Sequence, residues 1–411
     1  MSFWKIAKSE KMFRRYLAAL FLWEWTQWML ITAIPLFLHQ RYGLGKEFVF
    51  SIVIELIPAI LLGPVIGSWI DRWGAKRVTI LDIAAYSILV TLLPLTSSLW
   101  QVQLILLGIG ISQTAGSPAS LTLRAGVIPK GMEIQGNAAV MGIERLCKII
   151  GPLAASMIIL AFGTGVTLQL CCFAGLAAFA LFFTLPVAES EEKAEDESGF
   201  GNAVSSALPS FFRLLGRDRM IIAFVVTAIG YSLLMGMLKI FLLSLAGLHG
   251  DPKLYWGLFL AAQGLGALAG AIVCDGIVNR LTRTYSLTWV YFLFGLGEAF
   301  LLTGLAFQLG LTWTLLVLVL AAVFEIVATI IYFSVIQTRI PYEQQGLFNS
   351  MTLPVLDACY AAGIMLSGAL LTALPIYSVL LTCLGFMLVT HLPFVKLFFR
   401  ERSAEASTGS E

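Results

Sequence analysis

The chain has 411 residues, of which only 12% are charged and 59% are hydrophobic. A soluble protein of this length would carry about twice that proportion of charged residues. The composition therefore excludes an ordinary soluble protein and indicates a polytopic membrane protein with little mass outside the bilayer. The net charge of +2 gives no reason to expect a nucleic-acid partner.

Twelve apolar segments approach the length of about 20 residues that a helix needs to cross a bilayer. The predicted spans, numbered 1 to 12, cover residues 14–38, 47–70, 77–97, 101–120, 137–161, 166–186, 219–246, 254–278, 285–307, 311–335, 349–373 and 377–398. The pattern predicts an all-α membrane protein with two six-helix halves. Their bounds are 1–186 and 219–400, with a linker over 187–218 and a tail over 401–411.

The 26 Lys and Arg residues are distributed unevenly between the two sides of these spans. Twenty lie in the segments on one side, three on the other side and three within spans. Because cytoplasmic segments are enriched in Lys and Arg, both termini and the linker are predicted to be cytoplasmic. After an acidic run, the linker has an apolar periodicity that predicts a helix on the membrane surface.

A polar pattern precedes span 5 and recurs before span 11. Each copy starts with Ile-Pro and ends on an asparagine eight residues after the proline, at Asn137 in the first copy and Asn349 in the second. Two halves related by an internal repeat are typical of transporters that work by alternating access.

A short polar turn joins spans 2 and 3. Its notable residues are Gly67, Asp71, Arg72, Gly74, Lys76 and Arg77. This pattern resembles the loop between helices 2 and 3 of the major facilitator superfamily. The resemblance implies the twelve-helix fold of that superfamily, in which helices 1, 4, 7 and 10 line a central cavity and helices 5 and 11 border it. It also implies a conformational latch, in which the Asp71 carboxylate caps a helix N-terminus, with span 11 as the candidate.

Span 5 resembles one branch of that superfamily, the macrolide-efflux and siderophore exporters. The residues that carry the resemblance are Gly136, Asn137, Arg145, Gly151 and Pro152. Gly151 and Pro152 also begin a stretch similar to the antiporter motif G-P-x-x-G-G, with alanines in place of its last two glycines. The resemblance implies export by antiport.

Ionisable groups lie near the middle of four spans. They are Glu24, Arg145, Glu325 and Asp357. At 1.5 Å per residue their depths are about 12 to 18 Å. A charge at such a depth is costly and suggests a function. All four are therefore candidates for binding solute or protons.

Glu24 lies within the run Trp23-Glu24-Trp25-Thr26-Gln27-Trp28. A carboxylate beside indole rings suits an amphipathic cation, because aromatic faces attract cations. Glu24, Trp25 and Trp28 are therefore predicted to bind solute, with Glu325 as a second acid. The alternative is a buried aromatic cluster in which Glu24 bonds to a neighbouring helix.

Further charges lie in spans 5, 7 and 9. Glu144 and Lys148 are four residues apart and can pair on one helix face. Arg145 and Asp357 occupy matching positions of the repeat and form either a structural charge network or a proton relay. Lys239 is expected to extend to the interface.

Glu298 of span 9 is expected to be structural, because the resemblance places that helix at the periphery. The sequence has no phosphate-binding loop of the P-loop type, and His39, His249 and His391 are scattered at span ends. We therefore expect no metal and no cofactor.

These patterns together predict a secondary transporter rather than an enzyme, namely a proton-coupled exporter of an amphipathic drug or siderophore. The expected setting is the bacterial inner membrane, with protons, a small-molecule solute and membrane lipids as partners and a monomeric chain. One alternative is a lysophospholipid or metabolite carrier of the same fold. Another is a membrane-embedded enzyme or a structural membrane protein.

Overall fold

The computed structural model describes residues 11–62, 73–128, 133–186, 209, 211–216, 218–307, 310–340, 342–382 and 384–391, and no strand occurs in these ranges. Helices are numbered after the predicted spans. They are α1 Lys11–Tyr42, α2 Lys46–Ile54, α3 Ala75–Leu92, α4 Leu99–Val127, α5 and α6 within Glu133–Phe183, α7 Arg219–His249, α8 Pro252–Leu281, α9 Leu287–Thr303, α10 Leu311–Arg339, α11 Tyr342–Ala373 and α12 Ile376–His391.

Eight of the described helices are long and apolar enough to cross a membrane, and α9 and α12 are shorter apolar helices. One of the eight, Ala139–Phe183, contains two predicted spans. The predicted span 2 is described only as far as residue 62. The all-α membrane fold with twelve transmembrane helices in two six-helix halves is therefore confirmed.

A single glycine separates α5 from α6. Gly163 has φ +85° and ψ 167°, which breaks the helical run Glu133–Phe183. An L side chain rarely adopts a positive φ of this size, so glycine suits the position. The break lies in the gap between the predicted spans 5 and 6.

The start of α4 is stabilised by a local hydrogen bond. The Gln101 side chain accepts from the backbone N–H of Ser98 at 3.2 Å. This satisfies one of the donors that a helix N-terminus leaves without an intrahelical partner.

The chain folds into two compact units. The first contains Met1–Ser198 with Ala246–Ala261, and the second contains Gly199–Leu245 with Ala262–Glu411. Within the second unit, α7 and α11 approach closely because each presents a glycine to the other's backbone. A Cβ added to Gly236 would lie 2.0 Å from the Tyr360 carbonyl oxygen, and one added to Gly363 would lie 2.2 Å from that of Leu233.

Two glycines of α8 have a packing role. A Cβ added to Gly266 would lie 2.2 Å from the Val319 carbonyl oxygen, and one added to Gly270 would lie 2.3 Å from the Ile326 side chain. Both contacts hold α8 against α10. Close packing through small residues is a common way for helices to associate in membranes.

Candidate functional site

Glu24 lies in the middle of α1 with its side chain partly exposed. The Trp28 side chain, one turn further along, forms a hydrogen bond with the Glu24 carboxylate. Glu24 also interacts electrostatically with Glu144 of α5 and Arg124 of α4. The predicted acid is therefore part of a charge cluster built from three helices, which we call the Glu24 site: Tyr16, Glu24, Trp28, Arg124 and Glu144.

The Glu144 carboxylate forms an ion pair with Arg124, whose side chain is 19% exposed. This contact joins two helices, and the pairing of Glu144 with Lys148 on one helix stays a prediction. Tyr16 of α1 is fully buried and forms a hydrogen bond with Arg124. Sequence analysis singled out neither Tyr16 nor Arg124.

The Glu24 site depends on close packing of α5 against α1. A Cβ added to Gly151 would lie 2.6 Å from the Trp28 Cβ, and the Cys147 thiol lies 3.7 Å from the Phe21 carbonyl oxygen. Gly151 is therefore required for packing beside the candidate solute-binding residues.

Two tryptophans of α1, Trp25 and Trp28, lie in this part of the structure. The Lys148 ammonium lies 5.4 Å from the centroid of the Trp28 ring. The indole N–H of Trp25 is buried and has no hydrogen-bond partner among the described residues. An unpaired buried donor is costly unless something accepts from it, which makes Trp25 a candidate hydrogen-bond donor to a solute.

Pro152, the second residue of the predicted antiporter motif, lies inside α5. A Cβ added to Gly257 of α8 would lie 2.5 Å from the Pro152 carbonyl oxygen and 2.0 Å from the Ser156 hydroxyl oxygen. All three residues belong to the first unit, where this glycine allows close approach to the α5 backbone.

Arg145 and Asp357 are the other two charged candidates, and they have no ion pair among the described residues. Arg145 lies in the first unit and Asp357 in the second. Both are partly buried, and neither takes part in an ion pair within the described ranges. Lys239 was expected to extend to the interface, but its ammonium lies 5.9 Å from the centroid of the Tyr360 ring.

Glu325 of α10 has a tyrosine partner and an acidic neighbour. The Tyr231 side chain of α7 forms a hydrogen bond with it. Glu298 of α9 interacts electrostatically with Glu325 and is only 2% exposed. The predicted second acid therefore belongs to a buried polar cluster of the second unit.

The predicted latch is only partly described. Gly67, Asp71 and Arg72 lie outside the described residues. Gly74 precedes α3 with φ +80°, and Arg77 lies in the first turn of that helix. The Lys76 ammonium donates to the Leu185 carbonyl oxygen at 2.7 Å, which connects the start of α3 to the end of α6.

One intramembrane acid escaped the sequence analysis. Asp82 of α3 is 7% exposed and accepts a hydrogen bond from the Ser112 hydroxyl at 2.6 Å. Gly116 makes room for it, since a Cβ there would lie 1.8 Å from a carboxylate oxygen. Its signal in the sequence is a lone carboxylate inside the apolar span 77–97.

Solved transporter structures share this fold. A nucleoside transporter, NupG, has a TM-score of 0.75 at 13% identity, covering 95% of this chain and 99% of its own. A bacterial homologue of the iron transporter ferroportin, in an inward-facing state, has a TM-score of 0.68 at 16% identity, covering 94% and 98%. An auto-inhibited POT family peptide transporter has a TM-score of 0.74 at 11% identity, covering 96% and 97%. Such identities establish the fold alone.

A comparison with curated proteins finds no match for this chain. The model of one protein family, the Major Facilitator Superfamily, matches residues 50–356. The match covers about three quarters of the chain, and the helical membrane fold agrees with it. The chain therefore belongs to the Major Facilitator Superfamily, a family of membrane transporters.

Proposed function

We propose that this transporter is a proton-coupled exporter of an amphipathic small molecule such as a drug or siderophore. The observation that carries the proposal is the Glu24 site. Glu24 lies in the middle of α1, bonded to Trp28, while Arg124, the cation of the site, is already paired with Glu144. Because Glu144 already neutralises that cation, Glu24 is the acid available to exchange a proton for solute.

The proposed exchange is a competition for the Glu24 carboxylate. A charge left uncompensated inside a membrane is costly, so Glu24 is best neutralised by either a proton or a cationic group of the solute. Trp28 offers a ring for cation–π contact and Trp25 a free N–H for a hydrogen bond. Proton entry from outside would then release the solute, and solute entry from the cytoplasm would release the proton.

Alternating access would open this site first to one side of the membrane and then to the other. We assign the latch role to Gly67, Asp71, Arg72, Gly74, Lys76 and Arg77. The Lys76 contact with Leu185 supports that role, because it connects two helix ends of the first unit.

The remaining features of the proposal follow from the sequence. The halves are 1–186 and 219–400, separated by a cytoplasmic linker. The chain acts as a monomer in the bacterial inner membrane, with both termini cytoplasmic. Arg145 is a further charged candidate in the first unit. In the second unit, Glu325 is the second candidate for binding protons and Asp357 the next.

One observation favours a carrier of a lysophospholipid or an anionic metabolite instead. Lys148 lies over Trp28, on the same indole that bonds to Glu24. An ammonium beside a carboxylate would suit a zwitterionic headgroup as well as a cation.

The test is transport by the purified full-length chain in lipid vesicles with an imposed pH gradient. The probes are a fluorescent lipophilic cation and a fluorescent lysophosphatidylcholine. Glu24→Gln keeps the size of the side chain but cannot release a proton, so we expect at least a tenfold loss of gradient-driven cation transport. Glu24→Ala should also weaken cation binding.

Glu47→Gln is the matched control, since Glu47 lies in the first turn of α2 at the outer end of the span. It should transport as the natural chain does. Equal response of Glu24→Gln and the natural chain to the gradient would reject Glu24 as the coupling acid. Transport of the lipid probe alone would favour the lysophospholipid carrier.

A further inference from the structure

The second unit contains two neighbouring acids, Glu298 and Glu325. They lie on α9 and α10, which are joined by the short connection 304–310. A Cβ added to Gly297 would lie 2.4 Å from the Phe324 ring, and the Phe294 and Phe324 ring centroids are 5.0 Å apart. Glu298 directly follows Gly297 and Glu325 directly follows Phe324, so the two acids lie at the same depth.

Glu298 occupies a position where an apolar residue would be expected. The buried face of α9 includes Tyr291, Phe294, Glu298 and Leu302, spaced three or four residues apart. The Glu298 side chain is 2% exposed, and its Oε2 atom has no hydrogen-bond partner within the described ranges. A buried carboxylate oxygen without a hydrogen-bond partner requires an explanation, and a bound proton is one.

No described ion pair neutralises the carboxylates of Glu298 and Glu325. Neither described ion pair of the chain includes Glu298 or Glu325. The groups that face the cluster are Tyr231 on α7, Tyr291 on α9, Tyr332 on α10 and His391 on α12. The α8 helix presents Gly266 and Gly270 to α10.

His391 is the one imidazole near this cluster in the described ranges. A Cβ added to Gly295 would lie 2.5 Å from its Nε2 atom, one turn of α9 away from Glu298. Its Nδ1 atom lies 2.7 Å from the Met387 carbonyl oxygen. Glu298 also interacts electrostatically with Glu325.

We propose that Glu298 and Glu325 share one proton and form a second proton site, which lies wholly within the second unit. Two neighbouring carboxylates in a dry environment cannot both be charged at low cost. The fully buried Glu298 holds the proton, and Glu325 holds the charge, which the Tyr231 hydroxyl stabilises by donating a hydrogen bond.

Proton movement through the pair needs no other reactant. The O–H bond at Glu298 breaks as one forms at Glu325, and the pair keeps a total charge of −1. Glu325 is the more exposed of the two and is the group that exchanges protons with the outside of the unit. A role for this site in transport rests on the proposed function; the shared proton does not.

Infrared spectroscopy of the purified full-length chain in lipid at neutral pH tests the proposal. Difference spectra are recorded between the natural chain and Glu298→Gln, Glu325→Gln and Glu47→Gln. We expect Glu298→Gln to remove the C=O band of one protonated carboxyl group. Glu325→Gln should remove a carboxylate band and keep the carboxyl band. We expect the same of Glu47→Gln, whose side chain is partly exposed.

Four results would overturn the shared proton. Loss of a carboxyl band in Glu325→Gln would show that Glu325 carries a proton of its own. An unchanged carboxyl band in Glu298→Gln would show that Glu298 is ionised. A carboxyl band that is absent from the natural chain and appears in His391→Gln would assign the balancing charge to the imidazole. A band that follows sodium rather than pH would assign it to a metal cation.

Transport is measured separately in vesicles. Glu298→Gln should lower gradient-driven transport of the cationic probe at least threefold. If the infrared bands change as expected but transport by Glu298→Gln is unchanged, the two acids share a proton that has no role in coupling. Failure of Glu24→Gln to uncouple transport would affect the proposed function and leave the infrared result intact.

Discussion

The two units handle buried acids in different ways. In the first unit, Glu144 is neutralised by Arg124, and Glu24 lies beside that ion pair with its side chain partly exposed. In the second unit, Glu298 and Glu325 lie together without a described ion pair. The same requirement, that lipid must not surround an uncompensated charge, is met by a cation in one unit and, in our proposal, by a proton in the other.

This difference bears on what each site can bind. The Glu24 site combines a carboxylate, indole rings and nearby ammonium and guanidinium groups, which suits a solute with both apolar and charged parts. Glu298 is too deeply buried to contact a solute. The first site is therefore the candidate for solute exchange, and the second for protons alone.

Arg124→Gln should have the largest effect, because it leaves two acids of the first unit without their cation. The Arg124 and Glu144 side chains are 19% and 31% exposed, so the expected loss lies between the values for an exposed and a fully buried pair, at about 1 to 3 kcal/mol. Denaturant unfolding of the detergent-solubilised chain would measure this loss, and adding Glu144→Gln should recover part of it.

Arg339→Gln is the control in the second unit. Arg339 pairs with Asp218 at 2.6 Å, but its side chain is 42% exposed. A pair in contact with water contributes less than about 1 kcal/mol. Equal destabilisation by the two variants would contradict the idea that Arg124 balances buried charge.

Gly151→Ala should disturb the Glu24 site by separating α5 from α1. The added methyl group would contact the Trp28 Cβ at 2.6 Å, and overpacking of this kind costs about 1 to 3 kcal/mol. Gly142→Ala, on the same helix with no atom within 4 Å of the added Cβ, should be neutral or slightly stabilising. Thermal unfolding compares the two; a Gly151→Ala chain as stable as Gly142→Ala would contradict the close contact.

Trp25→Phe should weaken solute binding while leaving stability nearly unchanged. It keeps an aromatic ring but removes the unpaired N–H, and one hydrogen bond is worth about 1 kcal/mol, or about fivefold in affinity. Binding of the fluorescent cation would measure it.

Trp313→Phe is the matched control in the second unit, because the Trp313 N–H already donates to the Gly304 carbonyl oxygen at 2.8 Å. That variant should lose stability and keep its affinity. The reverse pattern would remove Trp25 from the proposed solute site.

The smallest effects are expected from the two lysines that lie over aromatic rings. Lys148→Met removes a contact with Trp28 and Lys239→Met one with Tyr360, each worth about 0.5 to 1 kcal/mol. The loss should be larger for Lys148, because indole attracts cations more strongly than phenol does. Unfolding measurements on both variants compare them, and a larger loss for Lys239→Met would show that another contact dominates at that position.

Composition and apolar periodicity were enough to predict the membrane class and the twelve spans, and the resemblance of the turn between spans 2 and 3 predicted the family. Apolar runs of bilayer length have few alternative structures, because every backbone polar group must be satisfied within the segment. The gap between spans 5 and 6 was likewise visible, and Gly163 breaks the helix there. The position of Glu24 among tryptophans made it a candidate site residue, and its role stays a prediction.

The residues that interact with the buried charges could not be predicted from their order along the sequence. Spacing along one helix favoured Glu144 with Lys148, whereas the folded chain brings Arg124 from α4 to Glu144. The pairing of Glu298 with Glu325, and the packing of Asp82 against Gly116, likewise join residues from different helices. Sequence periodicity shows which face of a helix is buried, but the neighbour of that face depends on how the helices pack, and that packing decides which charge meets which.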